Sequence, residues 1–283
     1  MNAGVKPVVA IIAPGAMGSA VARQLHDNGV EVLTALDGRS AGSVQRANAA
    51  GMTAVARAEL VRANIFLSIV PPGAAISLAE EIAAEFAPFT HEPLYVDCNA
   101  INPKTAQRVA NIVEQNGMDY ADAGIIGGPP KRGYDGPVFY LSGEHASEAA
   151  VLRDFGLNCR VLDGGPFAAS ALKMSYAGIT KGLIALGSVM AIGASRASAS
   201  DALRAELARS QPMLLAWFER QIPSMFGKAY RWVAEMEEIA SFLEPQPEAE
   251  HMFRAIAEFY ASIADDSGKS DIEVLARSFD RPK

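Results

Sequence analysis

Short apolar segments alternate with amphipathic helical segments over roughly the first 163 residues, and this alternation limits the possible fold more than any other feature. Apolar runs bounded by turn-forming residues predict strands at residues 8–13, 31–36, 65–70, 94–97, 120–126, 138–142 and 160–162. Helical periodicity predicts helices between them, at residues 16–28, 42–50, 73–86 and 103–116. Strands that alternate with helices form parallel βαβ units with right-handed crossovers. We therefore expect an α/β domain with a parallel sheet.

The rest of the chain lacks this strand pattern. From Phe167 onward only helices are predicted, at residues 167–196, 201–221, 225–243 and 247–264. The Asp-Gly-Gly-Pro segment at residues 163–166 is the natural hinge. The sequence thus predicts an α/β domain of residues 1–164 followed by an all-α domain of residues 165–283.

The net charge and the cysteine content limit the kinds of partner and of metal or disulfide site that we expect. The net charge is −7, with 25 basic and 32 acidic residues and no basic arm, so neither nucleic acid nor an anionic membrane is an expected partner. Cys98 and Cys159 lack the spacing of a zinc or disulfide site, which favours a metal-free protein in a reducing cytoplasm.

The N-terminus has no signal-peptide pattern. The apolar stretch between Lys181 and Arg196 is shorter than the ~20 residues that span a bilayer.

A glycine-rich turn follows the first predicted strand. It has the GxGxxG spacing, with alanine in the first glycine position. Gly15 allows the backbone to approach a pyrophosphate, Gly18 allows close packing of the helix on the strand, and the helix N-terminus offers free N–H groups to phosphates. The turn therefore predicts a Rossmann-like dinucleotide site. Its phosphate-binding residues would be Ala13, Pro14, Gly15, Ala16, Met17 and Gly18.

The end of the second strand contains opposing indications about the cofactor. Asp37 lies about 20 residues past the glycine turn, where an acid binds the ribose hydroxyls of NAD. Arg39 and Ser40 follow at once and could hold the 2′-phosphate of NADP instead. We favour NADP over NAD, while a solvated turn arginine is an equally good account of Arg39.

Lys173 lies early in a long apolar, glycine-dotted helical segment. Buried lysines are suited to proton transfer near neutral pH, whereas most helix lysines pack the stem and extend the ammonium to water. The motifs upstream favour the first interpretation here.

Five motifs in sequence order resemble those of the 6-phosphogluconate dehydrogenase-like, or β-hydroxyacid dehydrogenase, superfamily. They are the glycine turn, a strand ending in Val70-Pro-Pro72, and segments resembling D-x-S-T-x-x-P, D-A-P-V-S-G-G and the catalytic-lysine helix, at residues 97–103, 122–128 and 172–177. The sequences around Lys173 and at residues 229–233 most resemble those of a less-characterised branch of the superfamily, which has a 6-phosphogluconate-dehydrogenase-like C-terminal domain.

The chain departs from the family where substrate is held. The usual asparagine four residues after the lysine is Ala177, the serine of the substrate loop is Ile126, and the S-T pair is Asn99-Ala100. The later K-D-L motif has no clean match. These changes put the substrate in doubt more than the lysine chemistry.

The resemblance implies an NAD(P)-dependent oxidoreductase that acts on a small hydroxy acid or a related carbonyl compound. Lys173 would be the acid/base. Val70, Pro71, Pro72 and Asn99 would lie against the cofactor. The implied substrate contacts are Asn99, Gly127, Gly128, Tyr176, Lys181 and Arg231. The last three are as well explained by packing or surface roles. An imine or ketimine reductase and a non-catalytic NAD(P)-binding sensor are the alternatives.

The long helix predicted from Phe167 to Arg196 is apolar on most of its faces and contains several glycines. A helix that is apolar on all sides must be buried, and the helical part of the chain is too small to cover it alone. We therefore predict a homodimer.

Overall fold

The computed structural model describes residues 6–134, 136–265 and 269–279. The prediction that the chain has no signal peptide rests partly on residues 1–5, which lie outside the described residues.

The first part of the chain forms an eight-stranded sheet with the order β3-β2-β1-β4-β5-β6-β7-β8. All neighbouring strands run parallel except β6 and β7, which are antiparallel. The strands are β1 (Val8–Ile12), β2 (Glu31–Thr34), β3 (Thr53–Ala54), β4 (Ile65–Ser68), β5 (Leu94–Asp97), β6 (Tyr120–Ile126), β7 (Val138–Ser142) and β8 (Asn158–Val161). The helices are α1 (Ala16–Asp27), α2 (Ala41–Ala49), α3 (Ala75–Phe86), α4 (Pro103–Glu114) and the short α5 (Ala146–Ala149).

Hydrophobic cores cover both faces of this sheet. Val9 and Ile11 of β1 belong to one core, whereas Ala10 and Ile12 belong to the other, because successive side chains of a strand point to opposite faces. Burial on both faces explains why the strands are nearly continuous apolar runs. The predicted α/β Rossmann-like domain is confirmed.

The second part of the chain is helical, and its described residues include no strand. Its helices are α6 (Ala168–Arg196), α7 (Ser200–Ser210), α8 (Pro212–Met225), α9 (Ala229–Phe242), α10 (Pro247–Ala264) and α11 (Lys269–Phe279). Aromatic pairs hold the later helices together: Trp232 meets Tyr260 edge-on at 5.2 Å, and the rings of Phe218 and Phe279 are 5.9 Å apart. The predicted all-α second part is confirmed.

Several predicted boundaries were wrong. The single helix predicted at residues 201–221 is two helices, because Pro212 opens α8, and the first turn is the position in a helix that favours proline. The helix predicted from residue 225 begins at Ala229, since Met225 completes α8. Sequence analysis predicted neither the two-residue edge strand β3 nor α11, and β8 begins two residues earlier than predicted.

The chain forms two compact units, Met1–Met174 and Ser175–Lys283, which divide within α6. Among the described residues, α6 is the one helix long and apolar enough to cross a bilayer. Core helices of soluble proteins meet the same criteria, and 39% of its most apolar window is buried, so this property is weak support for a membrane span.

Candidate functional site

The glycine turn lies between β1 and α1. Gly15 is the N-cap of α1, and among the described residues no side chain caps this helix start. A Cβ built on Gly15 would meet no atom of the described part of the chain within 4 Å, whereas one on Gly18 would collide with the carbonyl oxygen of Ala13. Gly18 is therefore required for packing, and the space beside Gly15 and the first N–H groups of α1 suits a pyrophosphate.

The turn lies at a switch point of the sheet, because β1 is flanked by β2 on one side and by β4 on the other. Loops after strands that meet at such a point form the crevice in which dinucleotides bind. The turn is joined to the loop after β4 by backbone hydrogen bonds. The N–H of Ala13 donates to the Ile69 carbonyl at 3.1 Å, and the N–H of Ile69 donates to the Ile12 carbonyl at 2.6 Å.

Asn99 connects the ends of β4 and β5. Its Oδ1 accepts a hydrogen bond from the Val70 N–H at 2.7 Å, and its Nδ2 donates to Ser68 Oγ at 2.8 Å and to Asp97 Oδ1 at 2.6 Å. The residue is 2% exposed. This geometry makes Asn99 a brace for the predicted cofactor loop Val70–Pro72, while its predicted direct contact with cofactor or substrate stays a prediction.

The loop after β2 leads into α2. Asp37 is exposed, Arg39 is half-buried, and Ser40 caps α2 by accepting a hydrogen bond from the Ser43 N–H at 3.3 Å. Arg46 was not among the predicted site residues. Its Nε donates to the Pro14 carbonyl at 3.0 Å, and its guanidinium also donates to Ser43 Oγ. An arginine therefore lies against the glycine turn, 32 residues away in sequence.

Lys173 extends from α6 toward β6. Its Nζ donates to the carbonyl oxygen of Ile125 at 2.8 Å, two residues before the Gly127–Gly128 loop. A Cβ at position 124 would lie 2.7 Å from the Ala169 carbonyl oxygen and 3.2 Å from Lys173 Cβ, so glycine there allows α6 to pack directly on β6. Gly127 has a φ of +125°, and the Gly128 N–H donates to the hydroxyl of Tyr134 at 3.3 Å.

A buried carboxylate joins α6 to the sheet. Asp122 of β6 accepts hydrogen bonds from the N–H and Oγ of Ser170 at 2.8 and 2.5 Å, and from Ser142 Oγ at 3.0 Å. Burial raises the pKa of the Asp122 carboxyl, and the hydrogen bonds from Ser170 and Ser142 oppose that effect. Sequence analysis assigned Asp122 only as part of a motif, because its partners are distant in sequence.

The cysteines are not suited to nucleophilic chemistry. Burial raises the pKa of the Cys98 thiol well above its usual value, and the nearby Asp97 carboxylate adds to this effect. Burial likewise raises the pKa of Cys159 to about 12. Both thiols therefore stay protonated at neutral pH.

Three predicted substrate residues lie in the second unit. Tyr176 is half exposed on α6. Lys181 forms a buried ion pair with Glu235, and its ammonium lies 5.0 Å from the centre of the Trp232 ring. Arg231 is exposed beside the ring of Tyr230 at 5.7 Å. These contacts describe packing roles, and substrate binding by the three residues stays a prediction.

Solved structures with the same fold include oxidoreductases and a protein described as similar to them. MTH1747, a conserved protein of unknown function described as similar to 3-hydroxyacid dehydrogenases, is 27% identical, with 90% of this chain and 97% of that chain covered and a TM-score of 0.69. Mycobacterium tuberculosis 3-hydroxyisobutyrate dehydrogenase, solved with L-serine, is 18% identical over 96% and 99% of the two chains, with a TM-score of 0.73.

The fold also matches an imine reductase from Myxococcus stipitatus. The complex with NADP⁺ is 18% identical over 96% of this chain and 99% of that chain, with a TM-score of 0.55. A variant with NAD⁺ gives a TM-score of 0.58 at 18% identity, over 97% and 99% of the chains. The curated proteins include no match to this sequence.

Two family profiles match the sequence. Residues 194–263 match a domain of unknown function, DUF1932. Residues 8–158, more than half of the chain, match the NAD binding domain of 6-phosphogluconate dehydrogenase. The glycine turn, the switch point and this match agree with one another, and the chain belongs to the 6-phosphogluconate dehydrogenase-like family of NAD-binding proteins.

Proposed function

We propose that this protein is an NAD(P)-dependent oxidoreductase that acts on a small hydroxy acid or a related carbonyl compound, with Lys173 as the acid/base. The observation that supports this most is the position of the Lys173 ammonium, 2.8 Å from the Ile125 carbonyl oxygen and next to the Gly127–Gly128 loop. Gly127 and Gly128 follow β6 at the carboxyl edge of its parallel pairing with β5, the edge at which such sheets bind ligands.

The glycine turn fits a dinucleotide because it combines an uncapped helix start with open space beside Gly15. The residues that would hold the cofactor are Ala13, Pro14, Gly15, Ala16, Met17, Gly18, Val70, Pro71 and Pro72. When bound, the cofactor would supply hydride transfer to or from the carbon that carries the substrate oxygen. The chain's own contribution is to bind, to orient and to move one proton.

Lys173 moves that proton. As a neutral amine, Nζ would take the proton from a substrate hydroxyl in the oxidative direction, and as the resulting ammonium it would return that proton to the oxygen in the reductive direction. The half-buried Lys173 is held by the hydrogen bond from its Nζ to the Ile125 carbonyl, which keeps the ammonium next to the Gly127–Gly128 loop. Backbone N–H groups of the Gly127–Gly128 loop would orient the substrate's acid or carbonyl group, and the Gly128 N–H would exchange its bond to the Tyr134 hydroxyl for one to the substrate.

The cofactor preference, the assembly and the cellular location belong to the same proposal. Arg39 and Ser40 favour NADP over NAD because a guanidinium and a hydroxyl match a 2′-phosphate better than two ribose hydroxyls. Residues 1–164 would bind the cofactor, and residues 165–283 would join two copies into a homodimer. The protein would work in the cytoplasm on a small molecule, without nucleic acid or membrane.

A substrate panel tests the function directly. Hydroxy acids, their keto acids and cyclic imines are each incubated with NADP(H) and NAD(H), and nicotinamide absorbance is followed. Turnover of a hydroxy or keto acid is expected. Turnover of imines alone would identify the protein as an imine reductase, the alternative that has the same fold. Tight cofactor binding without any turnover would instead identify a sensor.

A further inference from the structure

The start of α6 is capped by side chains of the sheet. The N–H groups of the first helical residues have no partner within their own helix and need acceptors from elsewhere. Ser142 Oγ accepts from the Ala169 N–H at 2.9 Å, and Asp122 Oδ2 accepts from the Ser170 N–H at 2.8 Å. Both acceptors come from strands, β7 and β6, that precede the helix by more than 25 residues.

The two acceptors act as one unit. Asp122 and Ser142 are opposite each other in the antiparallel pair of β6 and β7, and Ser142 Oγ lies 3.0 Å from Asp122 Oδ2. The other carboxylate oxygen, Oδ1, accepts from Ser170 Oγ at 2.5 Å. Asp122, Ser142 and Ser170 are each at most 1% exposed. Water therefore does not compete for these hydrogen bonds, and a shift of the helix start would break several of them together.

Lys173 lies one turn beyond this cap. Its Cβ packs against Gly124, two residues after Asp122 on the same face of β6, and its Nζ reaches the Ile125 carbonyl. Two quantities determine where the ammonium lies: the distance of α6 from β6, here called the depth, and the position of α6 along the strand. The network at Asp122 fixes the position along the strand, and Gly124 allows the depth.

We propose that Asp122 is the positioning residue for Lys173: through Ser142 and Ser170 it fixes the first turn of α6 on β6, and so places the ammonium beside the Gly127–Gly128 loop. This inference rests on the proposed function in that Lys173 does the proton transfer. Asp122 acts through the helix and does not touch the reacting atoms. The hydrogen-bond geometry matters more than the negative charge, because asparagine can offer its oxygen to the Ser170 N–H and its NH₂ to Ser170 Oγ.

The test compares Asp122→Ala with Asp122→Asn. Misplacement of a catalytic group by about 1 Å costs on the order of 10²-fold in rate, so Asp122→Ala should lower kcat by about that factor. The KM for the cofactor should stay unchanged, because the glycine turn is on other strands. Asp122→Asn should restore kcat to within a few-fold of the wild type. Leu152→Ala, a buried truncation in the same unit, is the control for lost stability and should keep kcat.

A second measurement separates this inference from the proposed function. The rate at which an amine reagent modifies Lys173, followed by mass spectrometry, should change in Asp122→Ala and stay as in the wild type in Leu152→Ala and Asp122→Asn. If Lys173→Met keeps full turnover, or if no compound of the panel reacts, the proposed function fails, and the labelling rates alone decide the role of Asp122.

Equal kcat and equal labelling in Asp122→Ala and Leu152→Ala would overturn the inference, even with an inactive Lys173→Met. An Asp122→Asn variant as slow as Asp122→Ala would also contradict it, since charge and not geometry would then matter. Should Asp122→Ala fail to fold, Ser170→Ala removes one hydrogen bond of the same network, and Ser142→Ala removes those that Ser142 Oγ makes with Asp122 and with the Ala169 N–H. Each should lower kcat by less than Asp122→Ala does, and each should change the labelling rate of Lys173 in the same direction as Asp122→Ala.

Discussion

Lys181 of α6 and Glu235 of α9 form an ion pair inside the helical unit, and the ammonium also lies over the ring of Trp232. Only 14% of the lysine side chain and 9% of the glutamate side chain are exposed. Breaking a buried pair by removal of one partner costs about 3–5 kcal/mol, because a charge stays in the apolar interior.

Lys181→Met should therefore lower the free energy of unfolding by about 3–5 kcal/mol, measured by urea denaturation. The double variant Lys181→Met/Glu235→Met should recover most of this loss, because both charges are removed. Arg254→Met, which breaks the exposed pair with Glu250, is the control and should cost about 1 kcal/mol or less. A Lys181→Met protein as stable as this control would show that the buried pair does not stabilise the helices.

The two glycines of the turn should respond differently to substitution. Gly15→Val places a side chain in the open space beside the helix start, so cofactor binding should be lost while the melting temperature stays unchanged. Gly18→Ala brings a methyl group against the Ala13 carbonyl and should destabilise the protein. Nicotinamide fluorescence titration and thermal unfolding measure the two effects. Equal affinity of wild type and Gly15→Val would place the phosphates elsewhere.

Arg39 should determine the choice between the two dinucleotides. Arg39→Ala should weaken NADP binding more than NAD binding, because only NADP has a 2′-phosphate to pair with the guanidinium. Arg23→Ala, an exposed arginine on α1, is the matched control and should change neither affinity. An unchanged ratio of the two dissociation constants in Arg39→Ala would reduce Arg39 to a turn residue.

Lys173→Met keeps the length of the side chain and removes the ammonium. Turnover should fall by about 10²–10⁴, the usual contribution of a positioned proton-transfer group. Cofactor affinity should barely change, and folding should be intact or improved, since an apolar group replaces a half-buried charge. Steady-state kinetics and cofactor titration on the same preparation check both statements. Activity within a few-fold of the wild type would contradict the role of Lys173 and favour Tyr176 and the imine-reductase alternative.

The exposed side of α6 should join two copies of the chain. Ile179, Leu186 and Met190 are 72%, 56% and 58% exposed, and their spacing of seven and four residues places them on one side of the helix. Sedimentation at micromolar concentration should give a dimer, and Ile179→Glu together with Met190→Glu should give monomers. Met213→Glu, on an exposed position of α8, should leave the dimer intact. A monomeric wild type would refute the prediction.

Local patterns were enough to predict every sheet strand except β3, the glycine turn and the position of Lys173 on a long helix. They are encoded by residues close in sequence: an apolar run, a glycine at a fixed distance, a helical period. The break at Pro212 was also local and could have been recognised, because proline is poorly tolerated inside a helix. The antiparallel direction of β7 was not predicted, since alternation alone does not reveal strand direction.

The polar contacts of the site could not be predicted in the same way. Asp122 and Ser170 are 48 residues apart, and Arg46 and Pro14 are 32 apart. Such contacts depend on the three-dimensional order of the strands, to which residue spacing gives no guide. The motif at residues 97–103 predicted Asn99 as a ligand contact but did not reveal that its amide joins the ends of β4 and β5.

The pairing of Asp122 with Ser142 couples the register of two strands to the formation of a helix. A shift of β7 by one residue would turn the Ser142 side chain to the opposite face of the sheet and remove the acceptor of the Ala169 N–H. The first turn of α6 can thus become stable only after β6 and β7 have found their correct alignment. The placement of Lys173, one turn further along α6, therefore depends on the alignment of these two strands.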